Sequence, residues 1–106
     1  MDASKTLEGL SIVPVVVIED INHAVKLANV LYEAGFAAIE VTLRTSCALS
    51  AIEEIVKNVP EIIVGAGSVR TVEQLSEVGN LGARFAVSPG STQRLIAEAK
   101  RIEMPF

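Results

Sequence analysis

The chain has 106 residues, half of them hydrophobic and 21% charged, which is one domain's worth of sequence and too apolar for general disorder. Nine basic residues against thirteen acidic ones give a net charge of −4 with no basic face, and only 4% are aromatic, so no nucleic-acid partner is expected. Cys47 is the sole cysteine, which excludes an intrachain disulfide and the common zinc clusters, and the longest apolar run, residues 12–18, is far short of the roughly 18 residues of a membrane span. The opening Met-Asp-Ala-Ser-Lys lacks the apolar stretch of a signal peptide, so the expectation is a soluble, acidic, cytoplasmic protein with no membrane partner.

Residues 1–11 read as a leader with a short helix over residues 4–10, and residues 12–106 as four repeats of strand, turn and amphipathic helix. Residues 13–18 (Val-Pro-Val-Val-Val-Ile) are apolar on both faces, as in a strand of a covered parallel sheet. Asp20 can cap the helix that follows, whose inner face is Ile21, Ala24, Val25, Ala28, Leu31 and Ala34, with Gly35 as its stop. The second unit has a strand over residues 37–43 and a helix with Ala48, Ile52, Ile55, Val56 and Val59 inward, ended by Pro60. The third has Ile62, Ile63 and Val64, then Gly65-Ala66-Gly67-Ser68 at the strand's end, and a helix opened by a Thr71–Gln74 capping box, with Leu75 and Val78 inward and Gly79 closing it. In the fourth, Phe85-Ala86-Val87 leads through Ser88-Pro89-Gly90 to a helix from about Ser91, with Leu95, Ala99 and Ile102 inward.

Strand centres recur about every 22–24 residues, and strict β/α alternation implies parallel strands with right-handed crossovers. A small doubly wound sheet and half of a (β/α)₈ barrel both fit this α/β pattern. Met104-Pro105-Phe106 falls where a fifth strand would begin. A four-stranded half barrel would leave two unpaired edges and a half-covered inner face.

Alternation along the second strand puts Ala38, Glu40 and Thr42 on one face, with Arg44 continuing it. A carboxylate inside a strand is costly unless it is paired or working, so Glu40 is either half of an ion pair with Arg44 or part of a site at the strands' C-terminal ends. Gly65-Ala66-Gly67-Ser68 is either a tight turn or a place where a ligand approaches backbone; it fails as a dinucleotide fingerprint because Arg70 occupies the third glycine position. Ser88-Pro89-Gly90 reads as a plain turn. His23 reads as a surface residue, Cys47 as structural, and Glu19-Asp20 as a helix cap rather than a magnesium pair. A receiver-like signalling module would need a phosphate-accepting Asp after the third strand, where this chain has Gly65-Ala66-Gly67.

Together, Val13-Pro14-Val15-Val16-Val17, Ile39-Glu40-Val41-Thr42-Leu43-Arg44-Thr45, Ile63-Val64-Gly65-Ala66-Gly67-Ser68 and Phe85-Ala86-Val87-Ser88-Pro89-Gly90 resemble the first half of the 2-keto-3-deoxy-6-phosphogluconate (KDPG) and 4-hydroxy-2-oxoglutarate (KHG) aldolases, from about Ile12 onward. The resemblance implies the first four βα units of a (β/α)₈ barrel, a homotrimer when complete, and a class I aldolase that needs no metal or other cofactor. Such an enzyme forms a Schiff base between a lysine and a keto acid and releases pyruvate plus an aldehyde. It implies Glu40 as the acid/base, Arg44 and Ser68 as holders of the pyruvate carboxylate, and Pro89 as wall; Ser68 stands where the family commonly has Thr. The family's Schiff-base lysine lies on a sixth strand and its phosphate site after the seventh and eighth. Lys5, Lys26, Lys57 and Lys100 lie outside any inward strand position, so the 106-residue chain is expected to be inactive alone. The alternative is a non-catalytic half barrel that self-associates as a scaffold.

Overall fold

The computed structural model describes residues 3–106. In chain order the elements are α1 (Ala3–Thr6), β1 (Val15–Val16), a 3₁₀ turn (Ile21–His23) running into α2 (Ala24–Glu33), β2 (Ala38–Thr42), α3 (Ala48–Asn58), β3 (Ile63–Gly67), α4 (Val72–Asn80), β4 (Phe85–Ala86) and α5 (Gln93–Arg101). The strands pair in parallel, in the order β1-β2-β3-β4. This is the α/β sheet that the alternating pattern predicts. Among the described residues no helix is long and apolar enough to cross a membrane.

Register separates the sheet into two faces. Val16, Val41, Ala66 and Ala86 form one row across the four strands. They share a core cluster with Ala28 of α2, Ile52 and Ile55 of α3, Leu75 and Val78 of α4, and Leu95 of α5. Each large aliphatic side chain buried there is worth about 1.5–3 kcal/mol. Val15, Glu40, Gly65 and Phe85 form the opposite row. Ala38 and Phe85 are buried, yet they stand outside the helix-side cluster. By register Val15, and by alternation Val17 and Val87, fall on this second face, where they are 61%, 44% and 40% exposed. The long helices thus cover one face, and the other carries valines into water.

The helix ends explain the chain reversals. Thr71 accepts from the Gln74 N–H at 3.1 Å, as predicted, but Gln74 reciprocates one residue early, accepting from the Arg70 N–H. Thr92 caps α5 by accepting from Leu95. At the C-termini of α2, α4 and α5 the same double bond pattern recurs: Phe36 to Leu31 and Gly35 to Tyr32, Ala83 to Val78 and Gly82 to Gly79, Met104 to Ala99 and Glu103 to Lys100. These are Schellman caps, with Gly35, Gly82 and Glu103 in the left-handed region at φ 104°, 97° and 57°.

Several sequence expectations shift. α4 runs through Gly79 and stops at Gly82, because only position 82 needs a positive φ. Gly65-Ala66-Gly67 is strand rather than turn; the turn begins at Ser68. Ala34 is exposed, since the α2 cap has already carried it off the inner stripe. Regular β1 pairing covers only Val15–Val16, while the Pro14 carbonyl still accepts from the Glu40 N–H. The leader helix spans Ala3–Thr6 and gives way to a turn with Gly9 at φ 83°, and residues 1 and 2 lie outside the described residues. After α5 the chain comes alongside β4, where the Ala86 N–H donates to the Pro105 carbonyl at 2.9 Å.

Candidate active site

The C-terminal ends of parallel strands gather loops from every βα unit, and sites in such folds sit there. Glu40 stands mid-way along β2 on the helix-free face, in register with Gly65. Its side chain leans across β3, and its carboxylate lies over Gly67, where a Cβ would collide with Oε2, Cδ and Cγ of Glu40. Burial pushes the Glu40 carboxyl above its ordinary pKa, and the nearby Arg44 charge pulls it part of the way back. The two side chains do not come within ion-pair distance; among the described residues the salt bridges are His23–Asp20 and Arg101–Glu98. Glu40 is therefore not half of a closed ion pair, and Arg44 stands exposed just beyond the end of β2.

Ser68 follows β3 directly and holds φ 57°, a left-handed conformation that costs a non-glycine residue roughly 1–2 kcal/mol. Bonds on both sides enforce it: the Leu43 N–H donates to the Gly67 carbonyl and the Val69 N–H to the Val87 carbonyl. Strain kept in place by its surroundings at a strand's C-terminal end is a mark of functional sites. Ser88 donates its hydroxyl to the Gly90 carbonyl at 2.6 Å and accepts from the Gly90 N–H, so Ser88-Pro89-Gly90 closes on itself with Pro89 exposed at the rim.

One arrangement escaped sequence reasoning. Past Val16, where β1 ceases to pair regularly, side chains from β2 and its loop take over the connection. Thr42 donates to the Val16 carbonyl at 3.3 Å, and Thr45 and Cys47 donate to the Ile18 carbonyl at 2.6 and 3.0 Å. Arg44 lies between these latches. The signal was small donor side chains at a strand's last residue and just past it, but their acceptors lie 26–29 residues away in sequence. Cys47 is structural, as predicted, and also opens α3.

Other candidates stay apart. His23 is exposed with its Nε2 3.8 Å from Asp20, and Asp20 caps the 3₁₀ turn by accepting from the Asn22 N–H at 2.9 Å. Lys5, Lys26, Lys57 and Lys100 are exposed and lie on helices, none on the face that carries Glu40. A cavity of about 560 Å³ lined by Thr6, Asn80, Arg84 and Met104 opens at the N-terminal end of the strands, away from Glu40 and Arg44.

Comparison with known proteins returns one family over nearly the whole chain: a family model described as KDPG and KHG aldolase matches residues 3–106. The chain is 49% identical over 95 residues to the KHG/KDPG aldolase of Escherichia coli K12, covering 90% of this chain and 45% of that protein. It is 45% identical over 104 residues to the 2-dehydro-3-deoxy-phosphogluconate aldolase of Dickeya dadantii, covering 98% and 49%. The crystal structure of 2-keto-3-deoxy-6-phospho-gluconate aldolase from Zymomonas mobilis superposes with a TM-score of 0.91 at 40% identity, covering 99% of this chain and 50% of that one. KDPG aldolase from Legionella pneumophila, with pyruvate captured as a covalent carbinolamine, superposes with a TM-score of 0.84 at 41% identity, covering 88% and 45%. The chain thus spans about half the length of the relatives it matches.

Proposed function

The chain belongs to the KDPG and KHG aldolase family, and from that premise we propose that it supplies the acid/base half of a class I aldolase site. The substrate is KDPG, 4-hydroxy-2-oxoglutarate or both, and the products are pyruvate and an aldehyde. The observation that carries this reading is the Glu40 carboxylate, half-buried at the inner face with a raised pKa and no ion-pair partner. A carboxyl in that state can take and return a proton near working pH. It takes the proton of the substrate hydroxyl as that carbon becomes the aldehyde carbonyl, while the electrons of the breaking carbon–carbon bond move toward the imine carbon. The exposed Arg44 guanidinium offers a planar fork to the pyruvate carboxylate. Ser68 adds a hydroxyl, and Pro89 forms wall.

On this reading the four βα units are the first half of a (β/α)₈ barrel. The imine-forming lysine comes from outside these 106 residues, since all four lysines here are exposed on helices. The isolated chain is then inactive, and the complete enzyme is a cytoplasmic homotrimer. Pyruvate with borohydride should leave the isolated chain's mass unchanged; a stable adduct on it would refute an outside lysine. In a complete enzyme carrying this segment, Glu40→Gln should cut turnover roughly 10²-fold or more. Turnover near wild type would reject the acid/base role. Arg44→Ala should mainly raise KM for the keto acid, and an unchanged KM would count against a carboxylate clamp.

A second reading, a non-catalytic half barrel that self-associates, draws on the exposed Val15, Val17 and Val87. It requires stability that rises with protein concentration.

A further inference from the structure

β3 carries no side chain at two successive positions of the face that bears Glu40: Gly65 and Gly67 both point there. The side chains of the two flanking strands cross over this bare rail. From β4, the tip of the Phe85 ring occupies the place where a Cβ of residue 65 would stand, so that Cζ, Cε1 and Cε2 all overlap it. From β2, the Glu40 carboxylate occupies the corresponding place at residue 67. Yet Glu40 and Phe85 are both in register with Gly65, not with Gly67. The shortest path for Glu40 lies straight across, onto Gly65. That seat is taken, and the carboxylate is displaced by two residues, about 6.6 Å along the strand. The displacement is toward the strands' C-terminal end, where Arg44 and Ser68 stand.

We infer that Phe85 is a positioning residue for Glu40: its ring, seated over Gly65, wedges the carboxylate onto Gly67 and so aims it at the mouth of the site. The inference deepens the proposed function and rests on it for its meaning. Its geometry is open to a test of its own. Burial is the larger influence on the Glu40 carboxyl, ahead of the Arg44 charge. The facing groups agree with that: β1 offers Val15 and Val17 on this face, β3 its two glycines, β4 Phe85, and the one charge felt by Glu40 is Arg44 at the end of β2.

The test is NMR on the 106-residue chain. The wild type should show a nuclear Overhauser contact between the Glu40 γ-protons and Gly67 Hα. Phe85→Leu, which is too short to reach Gly65, should lose it. The pair Phe85→Leu with Gly65→Ala puts a methyl group in the vacated seat and should restore it. A purely structural role for Phe85 would not give that rescue. Persistence of the contact in folded Phe85→Leu, or its absence in the folded pair, would overturn the wedge. Gly67→Ala covers the case in which the Phe85 variants do not fold. The atoms a Cβ would meet there belong to the flexible Glu40 side chain. The methyl group should expel the carboxylate and bring its pKa down toward the ordinary value, and an unmoved titration would overturn the seat over Gly67. These readouts need no turnover. An inactive Glu40→Gln enzyme without the contact pattern fails the wedge alone, and an active one with the pattern intact fails the acid/base reading alone.

Discussion

Replacing Thr45 with valine removes a 2.6 Å hydrogen bond to the Ile18 carbonyl while keeping the side chain's shape. Replacing Cys47 with alanine removes the second donor to the same oxygen, at 3.0 Å. Ile18 is 3% exposed, so water cannot readily replace either donor. A typical intramolecular hydrogen bond contributes about 1 kcal/mol, and a thiol is a weaker donor than a hydroxyl. Thr45→Val should therefore cost about 1 kcal/mol and Cys47→Ala about 0.5 kcal/mol, because each single variant leaves the carbonyl one partner. The double variant orphans a buried acceptor and should cost about 3 kcal/mol, leaving roughly 1–1.5 kcal/mol of coupling beyond the sum. Cys47→Ser, which keeps a donor, should stay close to wild type. Urea unfolding followed by circular dichroism, with unchanged m-values, supplies all four corners of the cycle. Coupling below about 0.3 kcal/mol would refute the shared-acceptor argument. The latch flanks Arg44, so in a complete enzyme the double variant should weaken keto-acid binding before it touches turnover.

Two pH dependences of opposite sign are expected. The Arg101 and Ser76 hydrogen bonds lower Glu98 to a pKa of about 2, so its contribution is present above the ordinary carboxylate range and is lost as pH falls toward 2. Glu98→Gln should flatten acid unfolding in that window, and an unaltered acid limb would refute the assignment. Glu40 is raised, chiefly by burial, so the fold loses stability as pH rises through its pKa. Glu40→Gln should remove that loss, and a neutral-pH destabilisation would contradict it. Glu103 occupies a left-handed cap position at φ 57° that glycine adopts freely, so Glu103→Gly should stabilise by about 0.5–1 kcal/mol, read as a rise of several degrees in Tm. A fall in Tm would mean that the Glu103 side chain contributes more than its backbone strain costs.

What could be read from the sequence divides along physical lines. The amphipathic stripes and the Thr71 cap were legible because their determinants lie within one or two helical turns. The face of β2 that carries Glu40 was legible because strand alternation needs no tertiary information. Gly65 and Gly67 left two readings open, a tight turn or a close approach of a ligand, and neither placed them inside the strand. Their reason for being glycine lies on two other strands, in Glu40 and Phe85. Gly79 and Gly82 are indistinguishable by composition, and the deciding backbone angle is set by where Ala83 must enter toward β4. The Thr45 and Cys47 latch was invisible for the same reason, its acceptor lying one whole βα unit earlier. Arg44 was legible from the same alternation and Ser68 from its place after the glycines, while the carboxylate-holding roles expected of them came only from family resemblance; the strained φ of Ser68 is a mark only the fold supplies.

The exit from α5 acts as a gauge for the sheet. Glu103 reverses the chain, Met104 spends its N–H on the Ala99 carbonyl, and the very next residue, Pro105, presents its carbonyl to Ala86. No slack residue separates helix from sheet. Pro105 has no N–H, so it joins β4 only as an acceptor. One residue inserted after Glu103 would hand that acceptor position to a neighbour and exchange, side chain by side chain, which atoms turn toward the helices and which toward the face of Glu40. The angular setting of one helix cap and the phase of the backbone beside β4 are therefore a single mechanical adjustment.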